Sequence, residues 1–265
     1  MKIGVIGNGV VGNATARCFM EHAEVRVFDR VAERRTHGLM QTLDSSIVFV
    51  CVPEGQLDSV FREMPDRLGN FAIKSTCPIG TTRKLAEKYG LKNLVHSPEF
   101  LTARCAVTDA QLPARNIIGI PNRMNLQPDS DGYERSICGE ALDKLYEKRF
   151  PGVPIHLMTS DESEAVKLIQ NSFFAVKVAF FNEVNELAQR LGLDWEVIRA
   201  ALLADGRIAH SHTQVPGPDG KYGFGGACLP KDLTQLITQM HEAGTNYGVC
   251  TAALDRNEHD RERIK

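Results

Sequence analysis

One stretch near the amino terminus restricts the fold more than any other. Lys2 to Ile6 is a short apolar run that ends in Gly7-Asn8-Gly9-Val10-Val11-Gly12, and Asn13 to His22 is then compatible with a helix. A strand, a glycine turn and a helix in this order place unpaired backbone N–H groups and a positive dipole end where an anion is favoured. The glycines serve a tight turn, close backbone approach to a pyrophosphate, and close packing of helix on strand. Glu24 to Phe28 reads as a second strand, and Asp29 stands at its end, 22 residues after Gly7. A carboxylate there accepts hydrogen bonds from a ribose 2′-hydroxyl and repels a 2′-phosphate, so the expected dinucleotide is NAD rather than NADP. Arg30, next in the chain, softens that preference. The alternative is a glycine turn with a helix-capping acid and no ligand.

The rest of the first half continues the alternation. Apolar runs recur at Ile47 to Val52, Phe71 to Lys74, Asn93 to His96, Asn116 to Ile120 and Ile155 to Met158. Helix-compatible stretches, such as Gln56 to Arg67, Thr81 to Tyr89 and Tyr133 to Lys148, lie between most of them, while Asn122 to Asp131 reads as a polar surface loop. Short strands alternating with helices predict a Rossmann-type, doubly wound parallel sheet over residues 1–158. Ligands bind such sheets beyond the carboxyl ends of the strands. That rule singles out the loops Val52-Pro53-Glu54, Ser75-Thr76-Cys77-Pro78 and Ser97-Pro98-Glu99-Phe100. Thr76 brings a hydroxyl and Glu99 a carboxylate; the plainer readings are a turn hydroxyl and a surface acid. Cys77 reads as an apolar neighbour.

From Thr159-Ser160-Asp161, which reads as an N-cap, the pattern becomes a helix running to about Arg190. Val166, Ile169, Phe173, Val176, Phe180, Val184 and Leu187 recur at spacings of three and four, a stripe widened by Phe174 and Phe181. Such a stripe predicts burial against several helices or a second copy of the chain. Further helical stretches at Asp194 to Ala204, Leu229 to Ala243 and from Tyr247 onward make residues 159–265 an all-helical domain. Lys167 and Asn171, four apart on one helix face, suit action on a hydroxyl or an oxyanion, or else form a solvated lysine beside an ordinary amide. In Gly223-Phe-Gly-Gly-Ala-Cys-Leu-Pro-Lys-Asp232 the glycine turn delivers Cys228 to a helix start, and Pro230 suits the first turn. An N-terminal position favours a thiolate; the competing reading is a small buried hydrophobe with Asp232 as a first-turn acid. The loop Asp205 to Gly220 carries His210 and His212 but no third ligand at metal spacing, so no metal is expected and a binding loop is favoured.

Composition excludes some classes. With 31 basic and 33 acidic residues and a formal charge of -2, nothing draws the chain generally to nucleic acid or anionic membrane. Seven scattered cysteines without a Cys-x-x-Cys pair point to a reducing compartment. With no signal-peptide pattern and no apolar run of about 20 residues, a cytoplasmic protein is expected.

Taken in order, Gly7 to Gly12, Lys74-Ser-Thr-Cys-Pro-Ile-Gly-Thr-Thr82, Ser97-Pro-Glu-Phe-Leu101, Glu164-Ala-Val-Lys-Leu-Ile-Gln-Asn171 and Gly223 to Asp232 resemble the UDP-glucose/GDP-mannose dehydrogenase family over practically the whole chain. That family oxidises the C6 alcohol of a nucleotide sugar to a carboxylate with two NAD per turnover. The resemblance implies Cys228 as the nucleophile carrying a thiohemiacetal and then a thioester. It also implies Lys167 and Asn171 as polarising groups, Asp232 as the residue ordering the lysine and a water, and Glu99 as an aid to thioester hydrolysis. Thr76 would position a water and the nicotinamide ribose. Gly7, Gly9, Val10, Val11, Gly12, Asp29, Arg30, Pro53, Thr76 and Lys231 would line the cofactor; Glu99, Phe100, Leu101, Lys167, Asn171, Phe224 and Gly225 would line the substrate, with Arg207 reaching the substrate of a neighbouring subunit. A homodimer through the long helix is expected. Two departures stand out. Ala103 occupies a position where the family usually carries a second acid, and family chains continue beyond the position of Lys265 into a domain that grips the nucleotide. A two-electron hydroxyacid or alcohol dehydrogenase, and a non-catalytic NAD-binding remnant, are the competing expectations.

Overall fold

The computed structural model of the chain describes residues 1–65, 69–121 and 137–263. It divides into two compact units, Met1–Lys167 and Leu168–Lys265. The division falls inside the long helix, whose first two turns carry side chains that bond to the rest of the sheet unit.

In the sheet unit, β1 (Lys2–Ile6), β2 (Glu24–Phe28), β3 (Ile47–Val50), β4 (Phe71–Ile73), β5 (Leu94–His96), β6 (Asn116–Ile120) and β7 (Ile155–Thr159) form one seven-stranded sheet in the order β2-β1-β3-β4-β5-β6-β7. The chain leaves β1 toward β2 on one side and returns to β3 on the other, so the switch point lies at the carboxyl ends of β1 and β3, beside Gly7. The expected all-parallel sheet needs one correction. β5 and β6 meet antiparallel through the single pair His96–Gly119, so β6 and β7, parallel to each other, run against the rest.

The period of two along each strand divides the apolar residues between two faces. Ile47 and Phe49 of β3 join a core with Phe19 and Leu142, whereas Val48 and Val50 join another with Phe61 and Leu85. Those partners belong to the flanking helices α1 (Val10–Phe19), α6 (Ile137–Arg149), α3 (Leu57–Glu63) and α4 (Thr81–Tyr89). Between them lie α2 (Leu39–Leu43) and α5 (Ala106–Gln111). Burial on both faces is why β3 is apolar at every position. The expected helix over Asn13 to His22 starts earlier, at Val10, because Gly9 is its N-cap. Asn122 to Asp131, the start of the helix expected from Tyr133, and Arg67 lie outside the described residues.

α7 (Ser160–Arg190) opens on a reciprocal cap: the Thr159 N–H donates to Glu162 Oε2 at 2.8 Å, and the Glu162 N–H donates to Thr159 Oγ1 at 3.2 Å. In the helical unit it is followed by α8 (Trp195–Ala204), α9 (Leu229–Glu242) and α10 (Gly248–Glu262). Ala175, Ala179, Phe224, Leu233 and Ala253 make one core there, and Phe181, Ala188, Trp195 and Val215 another. The stripe on α7 splits: Val176 and Val184 pack inward, but Ile169, Phe173, Phe180 and Leu187 are all more than half exposed. No described helix is long and apolar enough to cross a membrane.

Candidate active site

The glycine turn has the geometry a dinucleotide needs. Gly7 sits at φ +89°, and a Cβ there would lie 2.8 Å from the Cys51 carbonyl oxygen. A Cβ on Gly12 would lie 1.8 Å from the Gly7 carbonyl oxygen, so only glycine lets α1 start this close to β1. At Gly9 a Cβ would meet nothing within 4 Å, which leaves the helix start open to a ligand. Asp29 Oδ2 accepts from the Asn8 N–H at 2.7 Å, and Oδ1 accepts from the Val31 N–H at 2.9 Å. Partial burial pushes this carboxyl up, but the two amides and the Arg34 charge outweigh it and hold the group below the usual range. Asp29 is therefore an anion aimed across the turn. Arg30 turns instead to Glu63, at 2.8 Å, while Pro53 and Val10 are exposed.

Farther along the carboxyl ends of the strands, Glu99 and Lys167 form a nearly buried ion pair at 3.2 Å, with side chains 11% and 5% exposed. This removes the plainer readings of a surface acid and a solvated lysine. Glu99 Oε2 also accepts from the Leu101 N–H at 2.5 Å, and the Lys167 ammonium lies 5.3 Å from the centre of the Phe100 ring. Thr76 is half-buried in the loop after β4. Its neighbour Cys77 is buried among apolar side chains as expected, yet it also reaches Glu164 at 3.6 Å; burial and that carboxylate hold its thiol well above the usual range.

Polar groups beneath these loops escaped the sequence reading. His96 and Ser163 are fully buried and 2.8 Å apart, and Ser75 Oγ donates to the Val52 carbonyl oxygen at 2.5 Å. Glu164, also fully buried, accepts from the N–H groups of Gly80 (2.6 Å) and Thr82 (2.7 Å) and from the Thr82 hydroxyl (2.6 Å). It thus caps α4, whose own N-cap Gly80 has no side chain to do so. The available signal was weak: single polar residues inside otherwise apolar strand or helix patterns.

In the helical unit Cys228 is the N-cap residue of α9, with Pro230 in the first turn. It is exposed, which rules out the buried-hydrophobe reading. Burial pushes the Cys51 and Cys138 thiols up to about 12. Asp232, one turn on, is fully buried; its Oδ2 accepts from the Asn171 amide at 2.6 Å and its Oδ1 binds the Lys231 ammonium. Ser172 Oγ donates to the Asp232 carbonyl oxygen at 3.4 Å. Arg207 is exposed and paired with Asp205. Phe224 is 2% exposed in the helical core, and its N–H donates to Asn257 Oδ1 at 2.6 Å. Gly225 has no room for a side chain, since a Cβ would lie 2.3 Å from the Arg261 guanidinium.

Residues 161–259, the span that carries Lys167, Asn171, Cys228 and Asp232, match the central domain of the UDP-glucose/GDP-mannose dehydrogenase family. The helical unit is similar to that domain over this span. The UDP-glucose 6-dehydrogenase of Campylobacter jejuni is 36% identical over 174 residues, covering 65% of this chain and 39% of that protein. That of Pseudomonas aeruginosa is 29% identical and covers 100% of this chain and 67% of the relative. Among solved structures, a UDP-glucose dehydrogenase from Pyrobaculum islandicum superimposes with a TM-score of 0.79 at 25% identity, over 97% of this chain and 68% of the other. The chain therefore spans between about two fifths and two thirds of the length of these relatives. The chain resembles the Pyrobaculum structure in both units, the Rossmann-type sheet and the helices.

Proposed function

We propose that this chain is an NAD-dependent oxidoreductase that converts the C6 alcohol of a nucleotide sugar to a carboxylate through covalent intermediates on Cys228. The observation that carries the proposal is an exposed cysteine capping α9, one turn before a buried Asp232 that holds the Asn171 amide. An oxidation that stopped at a carbonyl has no use for that cysteine. Residues 1–158 serve as the NAD-binding domain and 159–265 as the helical domain carrying the nucleophile.

NAD supplies acceptance of one hydride in each of two steps. Gly7, Gly9, Val10, Val11 and Gly12 would hold its pyrophosphate and Asp29 its ribose hydroxyls, with Pro53, Thr76 and Lys231 as further cofactor residues. In the first oxidation the alcohol loses a hydride and a proton to give an aldehyde. The Cys228 sulfur then adds to the aldehyde carbon, and the proton moves to the new oxygen, giving a thiohemiacetal. Lys167 and Asn171 stabilise the charge on that oxygen. Loss of a second hydride and a proton leaves a thioester. Water attacks the thioester carbon with Glu99 taking its proton, the carbon–sulfur bond breaks, and the carboxylate departs. Asp232 holds Asn171 in place throughout. The sum is one alcohol, two NAD and one water giving one carboxylate, two NADH and three protons.

The exposed apolar face of α7, running through Phe173, Phe180 and Leu187, fits a homodimer. Arg207 then reaches the substrate bound to the second subunit. Sedimentation equilibrium is expected to give twice the chain mass, and Phe180→Asp a single mass; a monomeric parent protein at micromolar concentration removes the dimer.

The enzyme assay is NADH formation against UDP-, GDP- and CDP-sugars, with small hydroxyacids beside them. Two NADH per nucleotide sugar support the proposal. One NADH from a hydroxyacid favours a two-electron dehydrogenase, and NAD binding without turnover favours a binding protein.

A further inference from the structure

Two buried contacts, His96–Ser163 and Glu99–Lys167, join the end of β5 and the loop after it to the first two turns of α7. His96 ends β5, and its Nδ1 lies 2.8 Å from Ser163 Oγ in the first turn of α7. Lys167 follows Ser163 by four residues, the spacing that stacks side chains on one helix face. The Lys167 ammonium lies 3.2 Å from Glu99 Oε1, and Glu99 follows His96 by three residues. The other ring nitrogen, Nε2, is 3.2 Å from the Ser75 carbonyl oxygen, immediately before Thr76.

The chemistry of these partners decides the tautomer. A carbonyl oxygen only accepts, so Nε2 carries the proton and donates it to Ser75; in the neutral ring Nδ1 then holds a lone pair, and Ser163 is the donor. Burial pushes the imidazole down to about 3, with the Lys74 and Lys167 charges acting in the same direction and the Ser75 carbonyl bond against them. The ring is therefore neutral throughout the physiological range. The backbone is fitted to this contact as well. Gly119, the β6 partner of His96, has no space for a Cβ, which would lie 2.6 Å from Ser163 Cβ and 2.9 Å from Ser160 Cα. A glycine in β6 thus lets α7 approach closely enough for Ser163 to reach the ring.

We propose that His96 is a positioning residue: a neutral imidazole that ties the start of α7 to the loops after β4 and β5 and so holds Lys167 against Glu99. The proposal rests on the reaction assigned above, in which both of those residues act on the substrate. A misplacement of about 1 Å at a reacting group costs on the order of 100-fold in rate. Removing the clamp leaves the NAD cradle intact, so the loss falls on kcat rather than on NAD affinity.

Three measurements on the full chain test it. In nitrogen-15 NMR of labelled histidine, His96 is expected as the Nε2–H tautomer, with shifts constant from pH 5 to pH 9. Titration near neutrality, or the Nδ1–H tautomer, overturns the proposal. In competitive acetylation read by mass spectrometry, Lys167 is expected to react several-fold faster in Ser163→Ala than in the parent protein, at a melting temperature within a few degrees. An unchanged Lys167 rate in a folded Ser163→Ala overturns it. In the NADH assay, His96→Ala is expected to lower kcat by about 10- to 100-fold with the NAD dissociation constant unchanged. His96→Asn, whose Oδ1 can accept from Ser163, restores part of the loss. Equal kcat in all variants overturns the clamp, whereas a parent protein inactive on every sugar overturns the reaction assignment and leaves the first two measurements to decide the clamp.

Discussion

At the scale of single residues, the Glu99–Lys167 pair carries the sharpest energetic consequence. Two charges so nearly buried are tolerated because each has the other, so removing one leaves an uncompensated charge. Lys167→Met is expected to destabilise the fold by about 3 kcal/mol, measured by urea unfolding, and Glu99→Gln in the same chain to recover most of that loss. Equal stability of the single and double variants would show that the pair is solvated. How such residues read in the sequence depended on how local their signal was. The placement of Cys228 at a helix start and of Asp29 at a strand end was legible because each sits at a fixed offset from a glycine turn. His96, Ser163 and Glu164 were not: each is polar and fully buried, and its reason for being there is a partner 67 or more residues away. The burial of the Phe224 side chain was not legible either, because a motif position says nothing about which way a side chain points.

Elements are where periodicity and sterics meet. α4 and β6 have the bounds that their apolar runs and flanking signals predicted. The reversed direction of β6 and β7 was not legible, because an apolar run carries no direction. Turn sterics lead to a prediction for α1. With a Cβ placed 1.8 Å from the Gly7 carbonyl oxygen, Gly12→Ala must displace the helix from β1. Calorimetric titration is expected to show NAD binding weakened at least tenfold, together with a lowered melting temperature; unchanged binding would separate the cradle from the cofactor.

A second element-scale prediction concerns the ion pairs holding α10 to α7. Glu186 receives Arg190 at 2.7 Å and Arg256 at 2.8 Å, and Arg256 also reaches the buried Asp260 at 2.6 Å. Glu186, His259 and Asp260 lie close enough to suggest a metal, but the arginines already supply the positive charge there. Hydrogen bonds from Arg190 and Arg256 hold the Glu186 carboxyl at about 2. Because its folded value lies below the ordinary 4.5, the stabilisation is present above that pH and is lost as pH falls toward 2. Urea midpoints are expected to drop over that window in the parent protein and to drop less in Glu186→Gln; parallel profiles would assign the acid sensitivity elsewhere.

At the scale of the whole molecule, the order of motifs made both architectures legible: alternation for the sheet, a period of three to four for the helices. The boundary between the units was less so, since it lies within α7, where the helical pattern is unbroken. The exposed stripe on that helix shows the limit of periodicity, which reports an apolar face without saying what covers it. The central claim is that both units serve one four-electron oxidation through Cys228. It is tested most directly by counting NADH per nucleotide sugar consumed in the parent protein and in Cys228→Ser. Two NADH in the parent, and loss of overall oxidation or arrest at a bound intermediate in the variant, are the predicted results. A Cys228→Ser variant that still yields two NADH at the parent rate would contradict the covalent account.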